Sequence, residues 1–407
     1  RQANAAVGLL RVGKAEAVWP WLRHAPDPRV RSYIIHRLFP MGADPEELIR
    51  RLDQEPDISA RRALLLALGE FDEQRLPLAR RAALVPKIQG MYQAEADAGL
   101  HTAAEWLLRQ WKQESWIQEI NGKWAKDAAR GEETLRRAGI PGAKPVWQVN
   151  GQGQTMVLVP GPVEFRMGSP ESEAGRYANE TSHQKRIGRG FAIGSTLVTM
   201  GQYERFQKDY EKRLGAPYER DGRLPAIGIN WFMAAEYCNW LSEQEGIDKS
   251  EWCFEITAKE TRLKPNYLKL KGYRMPTESE YEYAIRGGSD TSWFFGETSD
   301  LLPHYGWYQA NSKNKPWPVG LLKPNDLGLF DAHGNIYGWC VDKFDEYSKK
   351  DDICDTILDI SKESSRVRRG GSFYNLSLDL RAATRSDPTP TSHNDTYGFR
   401  LARTFAP

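Results

Sequence analysis

Four cysteines and seven histidines bound the chemistry open to this chain. The cysteines are Cys238, Cys253, Cys340 and Cys354. They form no CxxC pair, and no Cys/His spacing fits a zinc site. Four cysteines in 407 residues do not make a disulfide framework. Cys238 and Cys340 lie in apolar stretches, which points to buried thiols, with pairing left open. The histidines are His24, His36, His101, His183, His304, His333 and His393. None stands four residues from another, so no helix offers two imidazoles to one metal. A facial triad of two histidines and a carboxylate would have to assemble from distant segments. His333, in "HGN" beside a turn, reads as a hydrogen-bonded structural residue.

The segment Phe373 to Tyr397, "FYNLSLDLRAATRSDPTPTSHNDTY", carries the other unusual chemistry. It has no Lys, Glu, Gln, Met or Trp, where average usage gives roughly four or five of these in such a length. Tyrosine offers broad contacts, and Ser, Asn and Asp offer adaptable hydrogen bonds, as in a paratope. The candidate ligand-contacting residues are Tyr374, Asn375, Leu376, Ser377, Asp379, Thr384, Ser386, Asp387, Thr389, Ser392, His393, Asn394, Asp395 and Tyr397. Every residue type present has a codon ending in a pyrimidine. The competing reading is a plain loop, short of helix formers because it turns repeatedly at Pro388 and Pro390.

Two kinds of element must position these residues. Residues 1–128 show apolar residues three and four apart, the spacing of helices. "PDPRVRSYIIHRL" from Pro26 is echoed by "PDISARRALLLAL" from Pro56 and more weakly by "ADAGLHTAAEWLL" from Ala96. An Asp stands at each helix start, where its side chain can cap free N–H groups. Helix pairs repeating every 30–40 residues indicate an α-solenoid, and the segment resembles HEAT-type repeats. It reads either as a partner-binding surface or as a spacer. Residues 129–145 read as a linker. From Val146 to the C-terminus the pattern is α+β. Strand-like runs occur at 155–161, 191–199 and 398–403, and capped helices at 230–246 and 276–288. Trp231, Trp240, Trp293, Trp307 and Trp339 are candidate core.

Hydrophobic residues are 40% and charged residues 27% of the chain, ordinary globular usage. A net charge of +2 gives no bulk attraction to nucleic acid. No apolar run reaches membrane-span length, and no signal peptide is visible. The chain starts at Arg1 in mid-pattern and reads as a fragment. The expected setting is a bacterial cytoplasm.

Seven motifs of the second domain occur in order: "FRMGS" (165–169), "PAIGINWFMAAEYCNWLS" (225–242), "GYRMPTESEYEYAIRGG" (272–288), "ANS" (310–312), "PVGLLKPNDLGLFDAHGNIYGWCVD" (318–342), "RGGSF" (369–373) and "GFRLAR" (398–403). Together they resemble the formylglycine-generating-enzyme (sulfatase-modifying factor) family. The resemblance implies a variant of the C-type lectin fold. It also implies oxidation of a substrate cysteine through two cysteines after "GGS" that bind copper(I), for which soft thiolates suit. No cysteine follows Cys354, so that copper pair is absent. Iron-dependent sulfoxide synthases share the fold and would need a histidine cluster supplied largely by a helical companion domain. Family members also bind calcium through oxygens around the "AN" and "GN" motifs. Asn311 and Asn335 match those positions, so calcium is the ion to look for, although no cofactor is required. An acidic residue usual three positions after the second Asn is Gly338 here. The 374–397 loop resembles the variable region of proteins diversified by diversity-generating retroelements.

These features lead to a non-catalytic module that binds a protein or peptide through the 374–397 surface. In bacterial relatives such a domain often follows a kinase or another effector. The alternatives are a metal-dependent oxidoreductase of the sulfatase-modifying-factor or non-haem iron type, and a structural adaptor acting through the helical repeats.

Overall fold

The computed structural model describes residues 1–138, 144, 146–210, 221–347 and 360–406. The N-terminal third is helical: α1 (Gln2–Arg11), α2 (Arg29–Arg37), α3 (Pro45–Gln54), α4 (Ile58–Leu68), α5 (Leu78–Ala94), α6 (Ala98–Gln110) and α7 (Glu114–Trp124). The helices of the three echoed motifs are α2, α4 and α6, and α4 lies between the other two. Asp57 caps α4 by accepting from Ala60 N at 3.0 Å, and Asp97 caps α6 by accepting from Leu100 N at 2.7 Å. The first copy differs. Pro28 occupies its cap position, and Asp27 instead bonds the backbone and guanidinium of Arg29.

The 129–145 linker reading needs correction. Residues Ala128–Ala138 form a helix, α8. Its stretch of helix formers carries Glu133 pairs with Arg136 and Arg137 one turn on. Its Leu135 and Ala138 pack into the core of the second domain. The glycines and prolines that suggested a linker cluster after residue 138.

The second domain combines a five-stranded sheet with three smaller pieces. The sheet order is β1 (Val146–Val149), β2 (Thr155–Val159), β5 (Gly190–Gly194), β12 (Ala402–Ala406), β8 (Tyr273–Arg274), with the pairings antiparallel. A three-stranded sheet runs β10 (Arg366–Arg369), β9 (Tyr337–Lys343), β11 (Tyr397–Phe399). Two hairpins pair β3 (Val163–Met167) with β4 (His183–Ile187) and β6 (Phe254–Ile256) with β7 (Thr261–Leu263). Strands β2 and β5 are buried along their whole length. Alternate side chains point to opposite faces. Met156, Leu158 and Ala192 enter one core, and Val157, Val159, Phe191 and Ile193 enter the other.

The run 398–403, expected as one strand, is split. β11 pairs parallel with β9, and β12 joins the large sheet. The chain changes sheets at Arg400, which is wholly buried and donates to Gly194 O and Phe330 O, both at 2.7 Å. Helix α9 (Met200–Phe206) precedes α10 (Trp231–Gln244), capped by Asn230, and α11 (Glu278–Arg286), which opens on a capping box between Thr277 and Glu280. Trp231, Trp293 and Trp339 are core, while Trp240 and Trp307 are half-buried.

The helical region packs on the second domain through its motif helices. Arg31 of α2 forks onto Asp326 at 2.6 and 2.9 Å, and His24 Nδ1 reaches the same carboxylate at 2.8 Å. Arg62 donates to the Asp326 carbonyl, and Trp106 Nε1 to Leu321 O. Phe330 sits in the core of the helical region. At the other edge, His101 stacks on Trp147 at 3.6 Å between centroids.

Candidate functional site

The "TESEYE" turn-and-helix beneath the 374–397 loop is an ionic frame. Glu278, Glu280 and Glu282 of α11 are all buried. Glu280 takes Arg274 at 2.6 and 2.7 Å and Arg189 at 2.6 Å. Burial works against its carboxylate, but the two guanidiniums outweigh it and bring Glu280 down to about 2. Glu282 pairs with Arg286 and Arg369. Glu278 joins β10 to the loop, accepting from Arg369 at 2.7 Å and from Arg385 at 2.6 and 2.8 Å. The loop's other buried cation, Arg381, forks onto Glu180 at 2.8 Å and reaches Glu173. Unpaired, such buried charges would be costly; paired and hydrogen-bonded they fix one geometry.

Those two arginines pin the middle of the loop and divide it into two arms. Thr384, expected on the surface, is buried between them with its hydroxyl unpartnered. It is removed from the surface because Arg381 and Arg385 draw residues 380–385 inward.

The first arm is the more exposed. Tyr374 is 47% exposed and Leu376 62%. The exposed Leu378 lies against Gly175, and the exposed Tyr177 donates its hydroxyl to Asp379 at 2.8 Å. Tyr177, Tyr374, Leu376 and Leu378 are four of the seven large hydrophobic residues exposed among the described residues. Ser377 is half-buried in the turn between the leucines. Asn375 faces inward: its Oδ1 accepts from Ser372 N and Oγ, and its carbonyl from Gln309 N.

The second arm is more polar. Asp387, His393 and Asn394 are exposed, and Ser386, Thr389, Ser392, Asp395 and Tyr397 half-buried. Thr389 and Ser392 share a hydroxyl bond at 2.8 Å, and Asn394 Oδ1 accepts from Thr396 N at 2.9 Å. The Arg368 guanidinium lies 3.9 Å from the Tyr337 and Tyr397 ring centres, whose planes stand at 88° to each other, and donates to Ser386 Oγ at 3.1 Å. Burial pushes the Tyr337 hydroxyl up, against the Arg368 charge and a hydrogen bond with Asn375. These contacts join the two arms.

Tyr177, Leu378, Arg368 and Tyr337 escaped the sequence reading. Tyr177 is some 200 residues from Asp379 in the chain, and no local pattern announces that contact. Leu378 lies in the short helical turn Ser377–Leu380, which the composition of the loop does not announce.

Among the described residues, the side chains that the family resemblance points to are engaged in the fold rather than gathered as ligands for calcium or copper. The side-chain oxygen of Asn311 accepts from Tyr308 N at 2.9 Å, and that of Asn335 from Trp317 N at 3.1 Å. Asn335 Nδ2 also donates to Trp317 O and to Asp331 Oδ1. Both residues brace turns, Asn335 in the left-handed region with φ 63°, and their oxygens are committed to the backbone rather than presented to calcium. For copper, Cys238, Cys253 and Cys340 are buried in the core, and burial pushes all three thiols up, Cys253 to about 12. A soft-metal site needs thiolates. Cys354 lies outside the described residues. His333 is structural, as expected: Nδ1 meets Leu380 O at 2.7 Å and Nε2 accepts from Phe294 N at 3.3 Å. Burial lowers it to about 3, so it is neutral at physiological pH. No helix among the described residues is long and apolar enough to cross a membrane.

Comparison with known proteins matches residues 143–405 to the sulfatase-modifying factor enzyme 1-like domain. The chain is 28% identical over 272 residues to the serine/threonine-protein kinase pkn1 of Chlamydia pneumoniae; the match covers 61% of this chain but only 38% of the kinase. It is 28% identical over 276 residues to the formylglycine-generating enzyme of Streptomyces coelicolor, covering 59% of this chain and 86% of that enzyme. Among solved structures it is similar to Treponema denticola variable protein 1, at TM-score 0.52 and 27% identity, over 61% of this chain and 95% of that one. The family match spans well over half the chain and includes the ionic frame and both arms of the loop: the chain belongs to the sulfatase-modifying factor enzyme 1-like family.

Proposed function

We propose that this chain is a non-catalytic binding module that grips a protein or peptide partner through the 374–397 surface. The observation that carries this is the exposed patch of Tyr374, Leu376, Leu378 and Tyr177 on a loop bolted at its centre by Arg381 and Arg385. A pre-ordered loop loses little conformational entropy when it binds, so its apolar contacts convert efficiently into affinity. Tyrosine and leucine side chains supply contact area, and Asp387, His393 and Asn394 supply a polar flank. The absence of any cysteine after "GGS" argues against the family's thiol–copper oxidation. The likeness to Treponema denticola variable protein 1 supports a display role for this surface, including diversification of the loop by a retroelement. A near-copy of its coding sequence beside a reverse transcriptase gene would be the genomic signature. The likeness to a protein kinase supports a place in a larger effector chain, where the module would sense or target. The adaptor reading, with a partner on the helical repeats, has less support, because α2, α4 and α6 spend their motif residues on the second domain.

The test is a pull-down with the full chain against a version carrying alanine at Tyr374, Leu376, Leu378, Asp387, His393 and Asn394. The reading expects partner recovery to fall to background in the alanine version. Equal recovery would overturn it.

A further inference from the structure

We propose that His36, Glu70 and His304 form a binding site for a divalent first-row transition-metal ion at the junction of the helical region and the second domain. His36 lies in α2, Glu70 just beyond the end of α4, and His304 at the end of a short helical turn, Ser299–His304. One ligand atom from each lies within 4.8 Å of the others, and among the described residues no other His, Cys, Asp and Glu group does so. His36 Nδ1 and Glu70 Oε2 are 3.4 Å apart. Two ligands each about 2.1 Å from a tetrahedral ion are themselves about 3.4 Å apart, so this edge of the site is already at coordination spacing. The 4.8 Å limit is longer and would close by a small movement of His304, which is half-buried.

The surroundings fit a ligand set. His36 Nδ1 is buried and faces the Glu70 carboxylate, 3.4 Å away. Its other nitrogen, Nε2, meets the Tyr305 hydroxyl at 3.0 Å, which fixes the ring and aims Nδ1 at Glu70. Metal-ligating histidines are commonly oriented in this way. The His304 ring lies beside His36, tilted 31° to it with centroids 4.1 Å apart. Glu70 gives one carboxylate oxygen to the buried Lys323 ammonium and turns the other to His36. Two imidazoles and one carboxylate together form a mixed nitrogen and oxygen ligand set. The nitrogen-rich set suits zinc, iron or cobalt and not calcium or magnesium. Three protein ligands leave a coordination position for water.

Lys323 is the internal competitor, since it already neutralises Glu70. The experiment decides between them. The full chain, stripped with chelator, is titrated with Zn2+ in a calorimeter and with Co2+ in a spectrophotometer. The expected result is one equivalent bound, a visible Co2+ band, and at least tenfold weaker binding in both His304→Ala and Glu70→Gln. His183→Ala, which alters a half-buried histidine of β4 outside both sites, should bind like the parent. Circular dichroism checks that each variant folds, and His304→Gln replaces His304→Ala if the latter does not. No binding, binding unchanged in folded His304 and Glu70 variants, or binding lost in folded His183→Ala would each overturn the site.

Discussion

Replacing Asp326 with asparagine removes one charge and almost no volume, and it should unlock the helical region from the second domain. The carboxylate accepts two Arg31 bonds at 2.6 and 2.9 Å and one from His24 at 2.8 Å, and a second guanidinium, Arg62, lies at 3.6 Å. Burial opposes its ionisation, but Arg31, Arg62 and His24 outweigh it and hold the carboxyl well below the usual carboxylate range. The Arg31 side chain is 8% exposed, so in Asp326→Asn its charge stays buried without a counter-charge. Breaking one partner of a buried pair costs about 3–5 kcal/mol. The assay is urea unfolding of the full chain followed by tryptophan fluorescence. The reasoning predicts a loss of that size and the appearance of a separate transition, because Trp19, Trp106 and Trp111 are in the helical core and Trp231 and Trp339 in the other. Arg31→Met in the Asp326→Asn background should recover part of the loss, since it removes the stranded charge. A cost under about 1 kcal/mol, the ordinary value for an exposed pair, would refute the reasoning. The lowered Asp326 pKa adds a sign: its contribution is full above the unfolded value near 4 and shrinks as pH falls further.

Three further outcomes are expected. Arg385→Met strands Glu278 on one side, and should cost several kcal/mol by denaturant melt while abolishing partner binding with the surface patch itself unaltered. His101 and His333 are buried and lowered to about 3. Each takes up a proton only in the unfolded chain between about pH 6.5 and 3, so stability should fall as pH drops through that window, at up to about 1.4 kcal/mol per pH unit for each histidine; a flat profile from pH 7 to 5 would contradict their burial as neutral bases. Residues 146–407 expressed alone should melt at a lower temperature than the full chain, because truncation exposes Phe330 and leaves Asp326 unpaired; an unchanged melting temperature would show that the helical region adds nothing to the second domain.

Much of the scaffold was legible because it is written in local chemistry. The Asn230 cap, the Thr277–Glu280 capping box, the positive-φ glycine pairs 287–288 and 370–371, and the hydrogen-bonded His333 each follow from residues within a few positions of one another. What was not legible depends on partners far along the chain. The "TESEYE" glutamates read as helix-start residues, yet, besides the nearby Arg274 and Arg286, their arginines come from 189, 369 and 385. The break inside "GFRLAR" depends on carbonyls at 194 and 330. Thr384 looked like its neighbours in composition and is buried because of Arg381 and Arg385 on either side. The same limit hid Tyr177, which completes the exposed patch from outside the loop.

The central claim is that the exposed first arm is a binding surface. Its most direct test is to pan a random peptide library on the full chain and measure Kd for the selected peptides on the parent and on Tyr374→Ala/Leu376→Ser/Leu378→Ser. Burying such half-exposed apolar side chains contributes roughly 1 kcal/mol each, so the triple variant should bind about 100-fold more weakly while keeping the parent's melting temperature. Peptides that bind both proteins equally, or whose cysteines are oxidised by the chain with copper and oxygen, would contradict it.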